Sequence, residues 1–306
     1  MKIGLVGCGR WGKNILRDLL SLETDVYVCD PSPQSREAAI SVGARRAVAN
    51  VESLPADSDG YVVASPATYH LNNIVSLLPR GAPIFVEKPL VRSLEEFNIL
   101  KSTHNAAKTV FVMHKWRYHE GVAALKSLIE QATLGQVHGL RLQRTSWAEM
   151  HPDVDATQQL LPHDLSIILH LLSTIPPLDI VRSTPLGPSR FGFWASFRCP
   201  DSLIPVHLEI DNLLPPVSLR SCSIGFDHGV ATFSSLQPDV VSIYRHDSPV
   251  ADEINLPGQM PLLAELRAFK AHILGGPPPL SSLADESIIN ARACQIQECL
   301  QRGCHQ

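Results

Sequence analysis

The 306-residue sequence lacks several features that would place it in a specialised class of protein. It has no basic excess, because 26 Lys and Arg stand against 30 Asp and Glu and the formal net charge is −4. A nucleic-acid-binding surface is therefore not indicated. No apolar run approaches the length of a membrane span, and Met1 leads directly into a strand-like run without a signal peptide. We expect a cytoplasmic protein that binds neither nucleic acid nor membrane.

The cysteine and histidine patterns typical of metal sites are also missing. The cysteines lie at positions 8, 29, 199, 222, 294, 299 and 304, and no two of them have the Cys-x-x-Cys spacing. The 13 histidines are spread along the chain, and none forms a His-x-x-x-His helix pair with a nearby carboxylate. We therefore expect reduced thiols and no metal site.

The residues that are present predict a globular α/β protein. Apolar residues make up 44% of the chain and charged residues 18%, and the length suffices for two domains of ordinary size. Short apolar runs at residues 26–29, 47–49, 61–64 and 84–86 alternate with helical patterns. Strands and helices that alternate at this spacing indicate a parallel, doubly wound sheet.

A glycine pattern follows the first strand-like run. Gly7, Gly9 and Gly12 have the spacing Gly-x-Gly-x-x-Gly, and residues 14–20 continue with apolar residues at helical spacing. The first glycine permits a tight turn, the second lets the backbone approach a pyrophosphate, and the third lets the helix pack closely on the strand. The N–H groups at the helix start would face the phosphates. An ordinary turn is the alternative, but the position between a strand and a helix predicts dinucleotide binding.

Asp30 ends the second predicted strand, about 20 residues beyond the glycines. A carboxylate there can accept hydrogen bonds from the adenosine ribose hydroxyls and would repel a 2′-phosphate, which predicts NAD in preference to NADP. Two alternatives remain open. Asp30 could instead start the turn that continues through Pro31, and Ser32 with Arg36 could hold a phosphate if Asp30 turned away.

An ionisable pair, Glu87 and Lys88, ends the strand-like run 84–86, and Pro89 follows it. Buried strand ends favour apolar residues, and a lysine seldom stays buried without a role. A lysine beside an oxidised nicotinamide would lie next to a like charge, which favours its neutral, proton-accepting form. The alternative is a salt bridge between the two side chains.

Three segments in this order and spacing resemble the Gfo/Idh/MocA family of NAD(P)-dependent sugar oxidoreductases. They are residues 7–14 (GCGRWGKN), 64–70 (ASPATYH) and 85–90 (FVEKPL). The resemblance implies an N-terminal Rossmann domain with a doubly wound parallel sheet over residues 1–118. It also implies a C-terminal α+β domain with an open, mostly antiparallel sheet over residues 119–306, and a homodimer or homotetramer formed through that sheet.

The resemblance also implies which residues form the site. Those expected to bind the cofactor are Gly7, Gly9, Arg10, Trp11, Gly12, Asp30, Ser65, Pro66, His70, Glu87 and Lys88. Those expected to be catalytic are Lys88 and His163, and those expected to contact the substrate are Lys88, Arg117, Gln159 and His163. In the family, a segment similar to His163-Asp164 opens a helix whose first turn faces the nicotinamide.

Some of these histidine assignments have structural alternatives. His70 could lie near the nicotinamide ribose or be an ordinary first-turn histidine, and His163 could be a capping or core histidine. For Asp164 a structural role at a helix N-terminus is the leading interpretation.

The sequence departs from the family pattern at Gln159, where members usually carry an aspartate four residues before the histidine. Glutamine can hydrogen-bond a sugar hydroxyl but cannot take its proton. Acid–base work would then fall to Lys88 and His163. The leading hypothesis is an NAD-dependent oxidoreductase for a secondary alcohol of a sugar, cyclitol or nucleotide-sugar. The alternatives are a catalytically silent NAD(P)-binding regulator or scaffold, and an enzyme that reduces an imine or a double bond on the same scaffold.

Overall fold

A computed structural model of the chain describes residues 1–145, 156–185, 191–199, 202–211 and 218–302. The chain divides into two compact units. The first unit consists of Met1–Lys115 and Met260–Ser287, and the second of Trp116–Gln259 and Ile288–Gln306. Each unit is built around its own sheet.

The elements of regular structure follow in chain order. The strands are β1 (Lys2–Val6), β2 (Asp25–Cys29), β3 (Arg46–Val48), β4 (Gly60–Val63), β5 (Ile84–Glu87), β6 (Val110–Met113), β7 (Val137–Thr145), β8 (Leu178–Pro185), β9 (Phe191–Cys199), β10 (Ser202–Asp211), β11 (Leu219–Phe226), β12 (Gly229–Ser234), β13 (Gln237–Arg245) and β14 (Asp252–Asn255). The helices are α1 (Gly12–Ser21), α2 (Pro33–Ser41), α3 (His70–Leu77), α4 (Leu94–Ser102), α5 (Ala106–Thr109), α6 (Glu120–Gln131), α7 (Ala156–Leu172), α8 (Pro261–Ile273) and α9 (Leu283–Arg302). Within the described ranges, no helix combines the length and the apolar character that crossing a membrane requires.

The sheet of the first unit is parallel and has the strand order β3-β2-β1-β4-β5-β6. The order reverses between β1 and β4, and doubly wound sheets bind ligands outside the carboxyl ends of the strands at such a point. The predicted doubly wound parallel sheet is confirmed. The glycine turn leaves β1 at the switch point, which places it where a dinucleotide would bind.

Helices cover both faces of this parallel sheet. Successive strand residues point to opposite faces and therefore pack in different layers. Leu5 of β1 belongs to a buried apolar layer with residues of α1 and α8. Val6, the next residue, belongs to a second layer with residues of α3 and α4. The continuous apolar strands of the sequence therefore have a direct explanation in burial on both sides.

Helix α8 packs in the first unit, although the sequence predicted residues 119–306 as the second domain. Leu262, Leu266 and Phe269 of α8 lie in the apolar layer that also contains Leu5 of β1. The Phe269 ring stacks on that of Phe85 in β5, with centroids 5.0 Å apart. The chain thus returns to the first unit over Met260–Ser287. The sequence analysis assumed a single domain boundary, and a single boundary cannot describe a unit made of two separate segments.

The sheet of the second unit has the order β14-β13-β12-β11-β7-β10-β9-β8 and is antiparallel except for the β7–β10 pair. One face packs against α6, α7 and α9, through residues such as Leu142, Leu165 and Ile289. On β12 buried positions alternate with partly or fully exposed ones, as expected for a sheet covered on one face. The predicted α+β architecture with an open, mostly antiparallel sheet is confirmed.

The histidine-containing helix begins earlier than the family resemblance implied. Helix α7 starts at Ala156 and continues through Pro162, so His163 and Asp164 lie in its interior and not at its first turn. A proline inside a helix removes one backbone hydrogen bond and usually marks a helix start or a kink. Leu161 and Leu165 are completely buried on either side of it, and this burial offsets the loss.

We predict that Phe269→Ala destabilises the first unit in the full chain. Phe269 is 1% exposed, and truncating a buried Phe costs about 3–5 kcal/mol. Hydrogen exchange should show faster opening of the β5 amides around Phe85 and little change at Ile224 in β11. The control is Leu274→Ala, because Leu274 is 72% exposed and its loss should stay within about 0.5 kcal/mol. Faster exchange confined to the second unit would contradict the placement of α8.

Candidate functional site

The turn after β1 is closed by backbone contacts that leave no room for side chains. Gly7 has φ +92°, and a Cβ on it would lie 2.5 Å from the Ser65 nitrogen at the end of β4. A Cβ on Gly12 would lie 2.2 Å from the Gly7 carbonyl oxygen. The Gly7 N–H donates to the Cys29 carbonyl at the end of β2 (2.8 Å). Glycine is therefore required at both positions for the turn itself, as predicted.

Gly9 differs from these two glycines because a Cβ on it would meet nothing within 4 Å. Gly9 and Arg10 are exposed, and α1 begins shortly after them. The first N–H groups of a helix have no partner within the helix and attract anions. The open backbone at Gly9 thus fits the approach of a phosphate, whereas Gly7 and Gly12 shape the turn.

Asp30 is almost buried at the end of β2, and its carboxylate holds the glycine turn. Oδ2 accepts the N–H of Cys8 (2.8 Å), and Oδ1 accepts the N–H of Ser32 (2.9 Å). The bond to Ser32 is the turn-forming role that the sequence left open for this residue. The Arg36 guanidinium donates to the Asp30 and Pro31 carbonyls, both at 2.8 Å. Each carboxylate oxygen retains a second lone pair, so contact with a ribose stays a prediction.

His70 joins the segments that follow β4 and β5. Its ring is 1% exposed, with Nε2 2.7 Å from the Ser65 carbonyl oxygen and Nδ1 2.9 Å from that of Pro89. Burial lowers the pKa of His70, and the two carbonyl contacts raise it in part. Pro66 lies between this anchor and the short helical turn that begins at Ala67. A ligand could reach the imidazole only by displacing one of these contacts, which favours the structural role left open for His70.

Glu87 links the end of β5 to the glycine turn. One carboxylate oxygen accepts the indole N–H of Trp11, and the other accepts the backbone N–H of Lys88 (3.0 Å). The Lys115 ammonium lies 4.4 Å from the centroid of the Trp11 ring, within the range of a cation–π contact. Lys88 is half-buried and joined to Pro89 by a cis peptide bond. The carboxyl end of β5 and the glycine turn are thereby held together.

Glu265 of α8 is a buried acid that the sequence interpretation missed. It is 0% exposed, and among the described residues neither carboxylate oxygen has a hydrogen-bond partner. Burial raises the pKa of Glu265 well above its ordinary value of 4.5, the charge of Glu87 raises it further, and Lys115 lowers it. The signal in the sequence is its helical spacing, because Glu265 follows Leu262 by three residues and precedes Phe269 by four. Both of these neighbours face the core.

The remaining predicted residues belong to the second unit. His163 is buried on α7, and its carbonyl oxygen accepts the Ser166 hydroxyl (2.7 Å). Arg117 is also buried, and its Nε donates to the Ser166 carbonyl (3.1 Å), so this residue braces α7. Gln159 belongs to α7, and its side chain lies outside the described residues. Lys88 and His163 are therefore carried by different units.

Asp164 pairs with an arginine that the sequence analysis did not assign to the site. Its two carboxylate oxygens accept hydrogen bonds from Nε (2.6 Å) and from one terminal nitrogen (2.9 Å) of Arg144. This pair replaces the predicted role of Asp164 at a helix N-terminus, because the residue lies in the helix interior. The ring of Trp116 lies beneath two arginines, with centroid distances of 5.3 Å to Arg144 and 5.2 Å to Arg220. The signal that could have identified Arg144 and Arg220 is a charged residue at a position where the alternation of the strand predicts a side chain facing the core.

We predict that Gly9→Ala weakens NADH binding while the unliganded protein keeps its stability. The methyl group would occupy the open space where a pyrophosphate is expected, and a tenfold weaker affinity corresponds to about 1.4 kcal/mol. Calorimetric titration with NADH and thermal unfolding without it measure the two effects. Gly225→Ala is the control, because its nearest neighbouring atom would be 4.0 Å away and it lies in the second unit. Unchanged NADH affinity in Gly9→Ala would contradict the placement.

We predict that the Glu265→Gln variant loses less stability than the wild type as the pH rises. A carboxyl whose pKa is raised in the folded state contributes its stabilisation fully below the unfolded pKa, near 4.5, and loses it as pH rises through the folded pKa. The melting temperature of the variant relative to wild type should therefore rise as the pH is raised above the unfolded pKa near 4.5. The exposed Glu37→Gln is the control. Equal pH slopes for Glu265→Gln and wild type would contradict the assignment.

Comparison with protein families supports the N-terminal interpretation. Residues 1–114 match the family model for the Gfo/Idh/MocA oxidoreductases, described as an oxidoreductase family with an NAD-binding Rossmann fold. The prediction of an NAD-binding domain is confirmed by this match.

Two curated relatives extend the comparison. The chain is 30% identical over 144 residues to glucose-6-phosphate 3-dehydrogenase of Bacillus subtilis, which covers 46% of this chain and 41% of that protein. It is 27% identical over 239 residues to inositol 2-dehydrogenase of Klebsiella pneumoniae, which covers 74% and 69%. The match to the first relative thus spans less than half of that protein's length.

Solved structures match over almost the whole chain. UDP-N-acetylglucosamine 3-dehydrogenase from Acidithiobacillus ferrooxidans superposes with a TM-score of 0.82 at 19% identity, covering 99% of this chain and 98% of that one. Levoglucosan dehydrogenase in complex with NADH gives a TM-score of 0.83 at 18% identity, with coverage of 99% and 97%. These likenesses establish the two-sheet fold, and the match of residues 1–114 adds the sequence evidence. By sequence, residues 1–114 match the Gfo/Idh/MocA oxidoreductase family, and over the rest of the chain the solved structures show the same fold.

Proposed function

We propose that this protein is an NAD-dependent oxidoreductase that transfers a hydride between nicotinamide and the carbon of a secondary alcohol. The substrate class is a sugar, a cyclitol or a nucleotide-sugar. The observation that carries the proposal is the junction at β5, where Glu87 binds both Trp11 of the glycine turn and the backbone of Lys88. A lysine is thereby held beside the turn that fits a dinucleotide.

Each group in the first unit has a separate task in this reaction. NAD supplies the hydride acceptor when bound. Lys88 accepts the hydroxyl proton at Nζ as the hydride leaves the substrate carbon, and it returns the proton in the reverse direction. Glu87 keeps the lysine backbone beside Trp11, which supports positioning without a part in proton transfer.

In the second unit, His163 assists removal of the hydroxyl proton and Gln159 hydrogen-bonds the substrate. Glutamine at this position can bind a hydroxyl but cannot accept its proton. Proton transfer therefore falls to Lys88 and His163. Arg117 acts by holding α7 through the Ser166 carbonyl.

The preference for NAD over NADP rests on Asp30. The Cys8 and Ser32 N–H groups hold its carboxylate at the end of β2, so the negative charge cannot turn away without breaking both bonds. A 2′-phosphate beside it would be repelled. Arg36 donates one terminal nitrogen to the Asp30 and Pro31 carbonyls, and the Asp30 carboxylate is the group to which the proposal assigns the ribose contact.

A homodimer or homotetramer through the sheet of the second unit completes the proposal. Trp194, Tyr244 and Val230 are large apolar residues of this sheet that remain exposed. Val230 and Tyr244 are direct cross-strand partners, and exposed apolar residues that lie together indicate a contact surface where single ones do not. A second copy of the chain is the occupant that the family resemblance implies.

We predict that Lys88→Ala abolishes turnover and leaves NADH affinity nearly unchanged. The substrate is first found by following absorbance with NAD and NADP over a panel of sugars, inositols and nucleotide-sugars. Positioned acid–base groups contribute about 10²–10⁴-fold to the rate. Lys88→Arg should be equally inactive, because arginine keeps the positive charge but does not release its proton. Lys101→Ala, at an exposed position of α4, is the control.

Two results would contradict this function. Wild-type rates in Lys88→Ala would remove the lysine from proton transfer. An absence of any absorbance change across the panel, with normal NADH binding, would favour the catalytically silent regulator that Gln159 suggests.

A further inference from the structure

Two arginines face each other across neighbouring strands of the second unit. Arg144 of β7 and Arg220 of β11 are direct partners in the antiparallel register. Leu142 and Cys222 form the next pair on the same face, and both are buried in the core beneath α6 and α7. Like charges directly opposite each other destabilise a sheet. A pair of guanidinium groups at this inward position therefore needs compensation.

One acid compensates only one of the two arginines. Asp164 binds Arg144 in a two-bond pair whose side chains are each 4% exposed. No carboxylate in the described parts of the chain lies within ion-pairing distance of the Arg220 guanidinium. Burial and the charge of Arg144 lower the pKa of Arg220, and Asp164 raises it in part. Counted over the described residues, the local charge is positive.

Trp116 contacts Arg220 without using the hydrogen-bond donors of the guanidinium. The guanidinium carbon lies 5.2 Å from the ring centroid, and a cation–π contact engages the charge and not the N–H groups. A guanidinium carries N–H donors in a rigid planar fork that fits carboxylate and phosphate in two-bond geometry. Arg220 lines a small cavity of about 10 Å³, room for about one water, together with Trp116, Arg144 and Asp164. Arg220 itself is half-buried, so part of its side chain remains accessible in the second unit.

We propose that Arg220 binds an anionic group of the substrate, so that the enzyme acts on a phosphorylated or carboxylated sugar derivative in preference to a neutral sugar. The inference rests on the proposed function for the identity of the reacting alcohol. Asp164, which fixes Arg144, directly follows His163 on α7. The anion site therefore adjoins the helix to which acid–base assistance is assigned, and it selects substrates by charge.

The test measures binding directly, in the full chain with NADH present. Calorimetric titration compares three pairs of probes: glucose 6-phosphate with glucose, glucuronate with glucose, and UDP-N-acetylglucosamine with N-acetylglucosamine. Inorganic phosphate serves as a competing anion. Wild type should bind at least one charged probe about tenfold or more tightly than its neutral partner, equivalent to about 1.4 kcal/mol. The three pairs distinguish a phosphate, a carboxylate and a pyrophosphate.

Variants locate the charge preference at one residue. Arg220→Gln should remove the preference, and Arg220→Lys should retain part of it, because lysine keeps the charge without the planar fork. Arg220→Lys also provides the readout if the glutamine variant does not fold. Arg245→Gln is the control, since Arg245 lies in the same sheet and pairs with Asp252 at 2.8 Å. It should keep the full preference.

Three results would overturn the inference. These are equal binding of each charged probe and its neutral partner by wild type, no binding of any charged probe, and a preference that survives in Arg220→Gln. Because binding is measured without turnover, the inference and the proposed function can fail separately. A preference that depends on Arg220 in a protein without hydride transfer would leave the anion site standing. Turnover of neutral sugars with the same kinetics in wild type and Arg220→Gln would overturn the anion site and leave the proposed oxidoreductase function standing.

Discussion

The first unit depends on a backbone crossing that excludes two side chains. The turn after β1 passes so close to the end of β4 that a Cβ on Gly7 would lie 2.5 Å from the Ser65 nitrogen. The start of α1 then returns so close that a Cβ on Gly12 would lie 2.2 Å from the Gly7 oxygen. These contacts set where α1 begins and therefore where its unpaired N–H groups point. The cofactor site is consequently a property of backbone geometry, to which side chains are added.

Two carboxylates hold this turn from opposite sides. Asp30 at the end of β2 accepts the Cys8 N–H, and Glu87 at the end of β5 accepts the Trp11 indole. Strands on either side of β1 thus fix the turn before any ligand arrives, which reduces the ordering that binding requires. The arrangement also gives each carboxylate a structural role beside its proposed functional one, so that loss of affinity in a variant of either would not by itself identify a ligand contact.

The sequence indicated those parts of the structure whose signals are local. The glycine spacing and the apolar runs of β1, β4 and β5 predicted the turn and the parallel sheet, because local backbone requirements and strand burial decide them. The return of α8 to the first unit was not predictable in this way, since the amphipathic pattern of Leu262, Leu266 and Phe269 fits any apolar surface. The extent of α7 was missed because Pro162 is typical of a helix start, and burial of its neighbours outweighed that signal.

The charged residues that sequence reasoning missed are wholly or partly buried at positions where the periodic pattern predicts an apolar side chain. Glu265 occupies such a position in the first unit, and Arg144 with Arg220 occupies two in the second. The surroundings then decide the outcome for each group. Glu265 has no hydrogen-bond partner in the described part of the chain and favours its neutral form, whereas Arg144 is paired with Asp164. A guanidinium does not release its proton at ordinary pH, so Arg220 stays charged, with the Trp116 ring against it and, in our proposal, an anionic group of the substrate. The first unit can thus remove its buried charge by protonation, whereas the second keeps a charged guanidinium, and it is to this difference that our proposal assigns the choice of substrate.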